Sequence, residues 1–103
     1  MVYNIWVIKL QSQKKLINLL EKLAKNNPKQ FKVIDKFIFI QLRSEEEYPC
    51  TLPNAKDLKS FDDNRYRWRL DDYRIIGIVQ NNEFKIIHII KISKRDESTY
   101  KGL

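Results

Sequence analysis

Three runs of strand-forming residues near the C-terminus constrain the fold more than any other feature of this sequence. They are RYRWRL, YRIIGIVQ and EFKIIHIIKI, and the pairs Asp71-Asp72 and Asn81-Asn82 separate them. Runs of β-branched and aromatic residues joined by two Asp or Asn residues are typical of tight antiparallel hairpins. The sequence therefore predicts a three-stranded antiparallel meander.

The N-terminal half predicts one strand followed by two helices. Residues 2–9 carry apolar side chains on both alternating faces, which predicts a strand covered on both sides. Ser12 is placed to cap a first helix that ends near Asn26-Asn27, and Pro28 is tolerated at the start of a second helix. Apolar residues recur at helical spacing in both segments: Leu16, Leu19, Leu20 and Leu23, then Phe31, Ile34, Phe37, Ile38 and Leu42. The run FKVIDKFIFI in the second segment also fits a strand, because it is rich in β-branched and aromatic residues.

Residues 44–64 follow no periodic pattern. An acidic run at 45–47, two prolines and the Asp62-Asp63-Asn64 sequence predict a loop here, with a short helical turn at 55–59. We therefore expect residues 1–103 to form a single α+β domain in the order β-α-α-β-β-β.

The amino-acid composition limits which classes of function this chain can have. The chain is 43% hydrophobic, which is enough for a core, and its net charge of +7 favours polyanionic partners such as nucleic acid. One cysteine excludes an internal disulfide, and one cysteine with one histidine cannot supply the ligands of a structural zinc site. With two glycines and no glycine-rich phosphate loop, we expect no cofactor. No signal peptide or membrane-spanning segment is evident, so we expect a cytoplasmic protein.

The predicted hairpins assign each side chain of the meander to one face of the sheet. If both connections are two residues long, the face under the helices carries Tyr66, Trp68, Leu70, Tyr73, Ile75, Phe84, Ile86, His88, Ile90 and Ile92. The opposite face carries the basic residues Arg65, Arg67, Arg69, Arg74, Lys85 and Lys91, then Ser93 and Arg95 if the last strand continues. The apolar Ile76, Ile78, Ile87 and Ile89 also fall on this basic side.

This register places Arg69 directly opposite Arg74. Like charges at such positions destabilise a sheet unless an anion lies between them. Arginines on an outer face commonly serve only to keep it soluble, but several that converge favour a site for a phosphodiester backbone, since the planar guanidinium suits bidentate phosphate contact.

These motifs resemble the C-terminal half of RelE/ParE-superfamily toxins. In that family a basic YRxR strand precedes a turn, a strand beginning with YR, a polar turn, an apolar strand and a KR pair before a terminal tyrosine. This chain has YRWR, DDYR and KISKR, followed by Tyr100. Its first fifty residues agree with the family only in their strand–helix–helix order.

The resemblance implies the toxin of a type II toxin–antitoxin system. Its RelE branch, favoured here, implies a metal-independent ribonuclease that cleaves messenger RNA in the ribosomal A site. The ParE branch shares the fold and instead inhibits DNA gyrase, and a basic binding module without activity is a third possibility. In both branches a cognate antitoxin, expected to be acidic, wraps the toxin and blocks it.

The resemblance also implies roles for individual residues. Arg69 and Arg74 would stabilise the charged transition state formed when a 2′-hydroxyl attacks the adjacent phosphate. Arg95 would assist the leaving 5′ oxygen, and Tyr100 would stack on or orient a base. The implied RNA-binding residues are Arg65, Arg67, Lys85, Lys91 and Lys94. Arginine is a poor general base, so the base stays open among Lys91, Lys94 and Tyr100.

His88 and Cys50 are expected to have no catalytic role. His88 falls by alternation among Ile86, Ile90 and Trp68, which predicts a core histidine. Cys50 lies in the predicted loop without a histidine nearby in sequence, so a nucleophilic role is not expected.

Overall fold

The computed structural model describes residues 6–11, 13–43, 49–81 and 85–94. In chain order these form β1 (Val7–Leu10), α1 (Gln13–Asn26), α2 (Pro28–Lys36), a π-helical turn (Phe37–Leu42), a 3₁₀ turn (Pro49–Thr51), β2 (Ala55–Asp57), β3 (Arg65–Leu70), β4 (Tyr73–Asn81) and β5 (Lys85–Lys94). The strands make one sheet in the order β1-β5-β4-β3-β2. The β1–β5 pair is parallel and the other three pairs are antiparallel. The expected α+β architecture is confirmed.

The two helices form where the apolar spacing predicts them. In α1, Leu16 and Leu20 are buried, and Asn27 follows the helix as the N-cap of α2, its side chain accepting a hydrogen bond from the Gln30 backbone N–H. Pro28 begins α2, because its missing N–H would have no partner in the first turn. The alternative strand over FKVIDKFIFI is wrong.

A π-helical turn continues α2 through Phe37–Leu42. Hydrogen bonds from residue i to i+5 widen the helix there. Phe37, Ile38 and Leu42 are consequently all buried against the sheet, while Ile40 is 59% exposed.

The hydrophobic core lies between these helical segments and one face of the sheet. Its sheet side is formed mainly by Trp68, Tyr73, Ile75, Val79, Ile87, Ile89 and Ile92. Burying one such aliphatic or aromatic side chain contributes about 1.5–3 kcal/mol. The Trp68 indole N–H also donates to the Pro49 carbonyl at 3.0 Å, which fastens the 3₁₀ turn to the core.

Two expectations about the strands differ from the structure. Residues 55–57 form the edge strand β2 rather than a helical turn, because their backbone pairs with residues 66–68 of β3. In β1, Val7 is 50% exposed and Lys9 is exposed, so the second face of this strand is not covered as expected. No helix among the described residues is both long and apolar enough to cross a membrane.

The β3–β4 hairpin has the predicted register, but the β4–β5 connection does not. Leu70 pairs with Tyr73 across the two-residue turn, in which Asp71 has a positive φ of 49°. Asn81 instead pairs with Lys85, so three residues separate the paired positions where two were expected. A β-bulge on β5 shifts the register once more, because Gly77 pairs with Ile89 and Ile76 with Lys91, which leaves Ile90 as the extra residue.

The changed register reverses the faces of the first half of β5. Ile87 and Ile89 are fully buried in the core, so their predicted place on the basic side is wrong. Ile86 and His88, predicted in the core, lie on the opposite face, in register with Gln80 and Ile78. Beyond the bulge the alternation returns to the predicted one, and Ile92 is buried in the core.

Candidate nucleic-acid interface

The sheet face opposite the helices carries most of the cations of the described strands, and we call it the basic face. It is defined by the side chains that alternate with the core residues of each strand: Val7, Lys9, Lys56, Arg65, Arg67, Arg69, Arg74, Ile76, Ile78, Gln80, Ile86, His88, Lys91 and Ser93. None of these positions in the described strands is acidic. Such a surface attracts polyanions.

Arg69 and Arg74 form the predicted like-charged pair across the β3–β4 hairpin. The Arg69 side chain is exposed, and Arg74 is half-buried with Ser93 as its partner on β5. Asn54 fixes the Arg69 backbone from the other side, since its carbonyl accepts from the Arg69 N–H at 3.0 Å and its Nδ2 donates to the Arg69 carbonyl at 3.0 Å. The hairpin and Asn54 therefore hold two guanidinium groups on one surface.

Arg67 and Lys91 lie in the next row of the basic face, on either side of Ile76. Ile76 is fully buried although it points away from the helices, and the aliphatic stems of long cations cover apolar surface of this kind. Arg67 is half-buried: its Nη1 donates to the Asn54 carbonyl at 3.4 Å, and its buried Nε has no hydrogen-bond partner among the described residues. Its charge is only partly balanced by protein groups.

Arg65 has a partner within its own loop. Its guanidinium donates twice to the Asp63 carboxylate through Nε at 2.9 Å and Nη2 at 2.8 Å, and it lies 4.3 Å from the centre of the Phe61 ring. These hydrogen bonds lower the pKa of Asp63. The Arg65 side chain is only 17% exposed. Arg65, which the sequence predicted to bind RNA, thus holds the β2–β3 loop in place.

Lys85 is not on the basic face, contrary to the prediction, and Lys94, expected among the RNA-binding residues, also lies off this face. Lys85 shares the alternation of Ile87, and its Nζ lies 5.8 Å from the centre of the Trp6 ring. Lys94 shares the alternation of Ile92 and lines a cavity of about 420 Å³ with α1 residues such as Leu19 and Leu23. Lys85 lies off the basic face because the β4–β5 connection is longer than expected. The longer connection reverses the face of every β5 residue before the bulge.

The predicted site is therefore assembled in part. Arg67, Arg69, Arg74 and Lys91 lie together on the basic face as predicted. Arg95 and Tyr100, predicted to act on the leaving group and on a base, lie outside the described residues, as does the acidic run at 45–47.

His88 is the residue of this face that sequence reasoning missed. It is half-buried and lies between Lys9 of β1 and Ile78 of β4. Alternation counted from a two-residue Asn81-Asn82 turn cannot find it, because the longer β4–β5 connection reverses the faces of β5 up to the bulge. The extra residue of the bulge, Ile90, is apolar and β-branched like its neighbours, so no signal within β5 marks the change.

The surroundings of Cys50 indicate a structural rather than a catalytic role. Partial burial raises the pKa of its thiol, with hydrogen bonding to the Tyr66 hydroxyl acting in the opposite direction. Desolvation, followed by the contact with Cys50, raises the pKa of Tyr66 to about 12. A neutral thiol is a poor nucleophile. Within the described ranges, no three His, Cys, Asp or Glu side chains group together as metal ligands.

The fold belongs to a recognised structural class. The chain superposes on a chain of known structure with a TM-score of 0.59. The superposition covers 90% of this chain and 94% of the other, and the fold is RelE-like. That structure is the toxin–antitoxin complex RelBE2 from Mycobacterium tuberculosis, at 17% sequence identity. An identity this low establishes the fold alone. No protein-family model and no curated protein sequence matches the chain.

Proposed function

We propose that this chain is the toxin of a type II toxin–antitoxin system and acts as a metal-independent, ribosome-dependent messenger RNA endonuclease. The observation that carries the proposal is the convergence of Arg67, Arg69 and Arg74 on one face of a RelE-like sheet. The face lacks carboxylates in the described strands, and a planar guanidinium suits bidentate contact with a phosphodiester.

Arg69 and Arg74 are proposed to bind the reacting phosphate. When a 2′-hydroxyl attacks phosphorus, negative charge accumulates on the non-bridging oxygens, and two fixed guanidinium groups stabilise it more than they stabilise the ground state. The phosphate in turn relieves the repulsion between the two arginines. Arg67 and Lys91 are proposed to contact the flanking backbone from the adjacent row.

The remaining roles rest on the family resemblance. Arg95 is proposed to assist departure of the 5′ oxygen and Tyr100 to orient a base. Lys91 is the candidate general base that lies on the basic face. Lys94 is a weaker candidate, since its strand position directs it toward α1.

An acidic antitoxin is the proposed partner. The net charge of +7 supports this, as does the fact that the structural neighbour is a toxin–antitoxin complex. Co-expression with a short acidic protein encoded beside this one should remove any growth arrest that the chain causes.

Expression of the chain in a bacterial host, with primer extension on a reporter messenger RNA, tests the endonuclease. The wild type should stop growth and cut within the reading frame, and the Arg69→Ala/Arg74→Ala double variant should lose about 100-fold or more of the cleavage rate. The matched control is Lys25→Ala/Lys32→Ala, which removes the same charge from exposed helix positions. Growth arrest with intact messenger RNA and a DNA-damage response would instead identify a gyrase inhibitor, and harmless expression of the folded wild type an inactive binding module.

A further inference from the structure

A second group of residues on the basic face lies apart from the arginine pair. His88 is in register with Lys9 on β1 and with Ile78 on β4. Arg74 and Ile78 are four residues apart on one strand, which at ~3.4 Å per residue separates their positions by about 14 Å. The row formed by Arg67, Ile76 and Lys91 lies between them.

The surroundings of His88 are aliphatic, with one cation at the edge. Ile78 and Ile86 are half-buried, Val7 is 50% exposed, and the three flank the histidine on the same face. The Lys9 side chain is exposed and makes no hydrogen bond or ion pair with the residues that the structure describes. We call these five residues, Val7, Lys9, Ile78, Ile86 and His88, the His88 patch.

We propose that the His88 patch is a binding subsite for one nucleotide of single-stranded RNA, in which the imidazole ring stacks on the base and Lys9 binds the adjacent phosphate. Unpaired bases stack on aromatic side chains, histidine included, and such contacts tolerate any base because every base has a π face. The aliphatic neighbours keep water from the edge of the stack. Lys9 supplies a charge at the rim, where the backbone of a nucleotide seated on the ring would pass.

This inference rests on the proposed function for the identity of the ligand and extends it along the sheet. A strand bound with its reacting phosphate at Arg69 and Arg74 would continue past Arg67 and Lys91 to His88. The patch would therefore hold a nucleotide at some distance from the cleaved bond, and it would contribute affinity rather than chemistry.

Binding of a fluorescently labelled 12-nucleotide single-stranded RNA, followed by anisotropy, tests the subsite. His88→Ala should weaken binding by about 5-fold or more, the range that loss of one base stack produces. His88→Phe should retain affinity, because it keeps an aromatic ring without the imidazole nitrogens. Lys9→Ala should weaken binding and lower the slope of log Kd against log salt by about 0.7, the value for one phosphate contact on a single strand. Lys25→Ala, on the exposed surface of α1, is the matched control and should change neither the affinity nor the slope by as much.

The outcomes separate this proposal from the function on which it rests. If the wild type cleaves messenger RNA but His88→Ala and Lys9→Ala bind the oligonucleotide as tightly as the wild type, the subsite is overturned and the endonuclease stands. If the wild type binds RNA through His88 and Lys9 without cleaving it, the endonuclease is overturned and the subsite stands. Absence of RNA binding by the folded wild type, or equal loss with His88→Phe and His88→Ala, overturns the subsite. The subsite is also overturned if His88→Ala and Lys9→Ala lose affinity for the antitoxin but not for RNA, because the patch would then be a protein interface.

Discussion

Arg69 and Arg74 face each other directly across a two-residue turn, on the outer surface of the sheet. Cross-strand neighbours of this kind have Cβ atoms about 4.5–5.5 Å apart, so the two charges repel in the absence of an anion. The backbone gives them little freedom to separate, because the turn fixes the register and Asn54 hydrogen-bonds both backbone groups of Arg69. A phosphate bound between the two guanidinium groups would offset this repulsion.

Removal of one charge from this pair is expected to stabilise the protein. Arg69→Gln keeps most of the side-chain length and should raise the free energy of unfolding by about 0.2–1 kcal/mol in low salt, the range for a cross-strand like-charge contact. The gain should shrink in 1 M salt because the repulsion is screened. Urea unfolding at the two ionic strengths measures both effects.

Arg69→Lys is the control for this prediction, since it retains the charge and should leave the stability near that of the wild type. A destabilised Arg69→Gln variant at low ionic strength would contradict the account of the pair as a repulsive contact.

The arginine pair shows which part of the fold the sequence predicts well. Its register depends on one turn, Asp71-Asp72, and on the alternation of six residues on either side, all of which are local signals. The helices are equally local, because the leucine spacing in α1 and the Asn27-Pro28 junction are visible within one or two turns. The charges on Arg67, Arg69 and Arg74 follow from the same alternation, so this half of the site is predictable.

The position of His88 depends on non-local information. Its face is set by the three-residue β4–β5 connection, and the bulge at Ile90 restores the predicted alternation where β5 passes Gly77, which lies against the Trp68 ring. Packing between strands decides this, and alternation within one strand does not report it. The parallel pairing of β1 with β5, which brings Lys9 to His88, is also a tertiary contact between the two ends of the chain. The arginine half of the basic face was therefore predictable and the His88 half was not.

Gly77 is expected to be intolerant of a side chain. A Cβ atom at this position would lie 2.8 Å from Cζ3 of the buried Trp68 ring and 3.3 Å from the His88 carbonyl oxygen. Gly77→Ala should therefore lower the free energy of unfolding by about 1–3 kcal/mol through overpacking. Thermal or urea unfolding measures the loss, with Ser60→Ala at an exposed position expected to stay within about 0.5 kcal/mol of the wild type. A stabilised Gly77→Ala protein would show that Trp68 is free to move, contrary to the tight packing described above.

The indole N–H of Trp68 is expected to contribute to stability in addition to the packing of its ring. Trp68→Phe removes the donor at 3.0 Å and leaves the Pro49 carbonyl with only the longer bond from the Leu52 N–H at 3.3 Å, which costs about 0.5–1.5 kcal/mol before the loss of packing is added. The same variant should also loosen the 3₁₀ turn, so amide hydrogen exchange at Thr51 and Leu52 should accelerate more than exchange in α1. Uniform acceleration across the whole chain would contradict a local role for this bond.

The contact between Tyr66 and Cys50 is expected to make stability fall in alkaline solution. Folding raises the pKa of Tyr66 from 10.0 to about 12 and raises that of Cys50 above 9.0, so the folded state retains protons that the unfolded state has released. Stability supplied by these groups is therefore complete below about pH 9 and is lost as the pH rises toward 12.

Urea unfolding between pH 8 and 11 should show this decline, and Tyr66→Phe should flatten it, because phenylalanine does not titrate. Cys50→Ala should leave part of the decline, since desolvation is the largest cause of the raised pKa of Tyr66. Equal slopes in the wild type and in Tyr66→Phe would mean that the phenol is as well solvated in the folded chain as in the unfolded one.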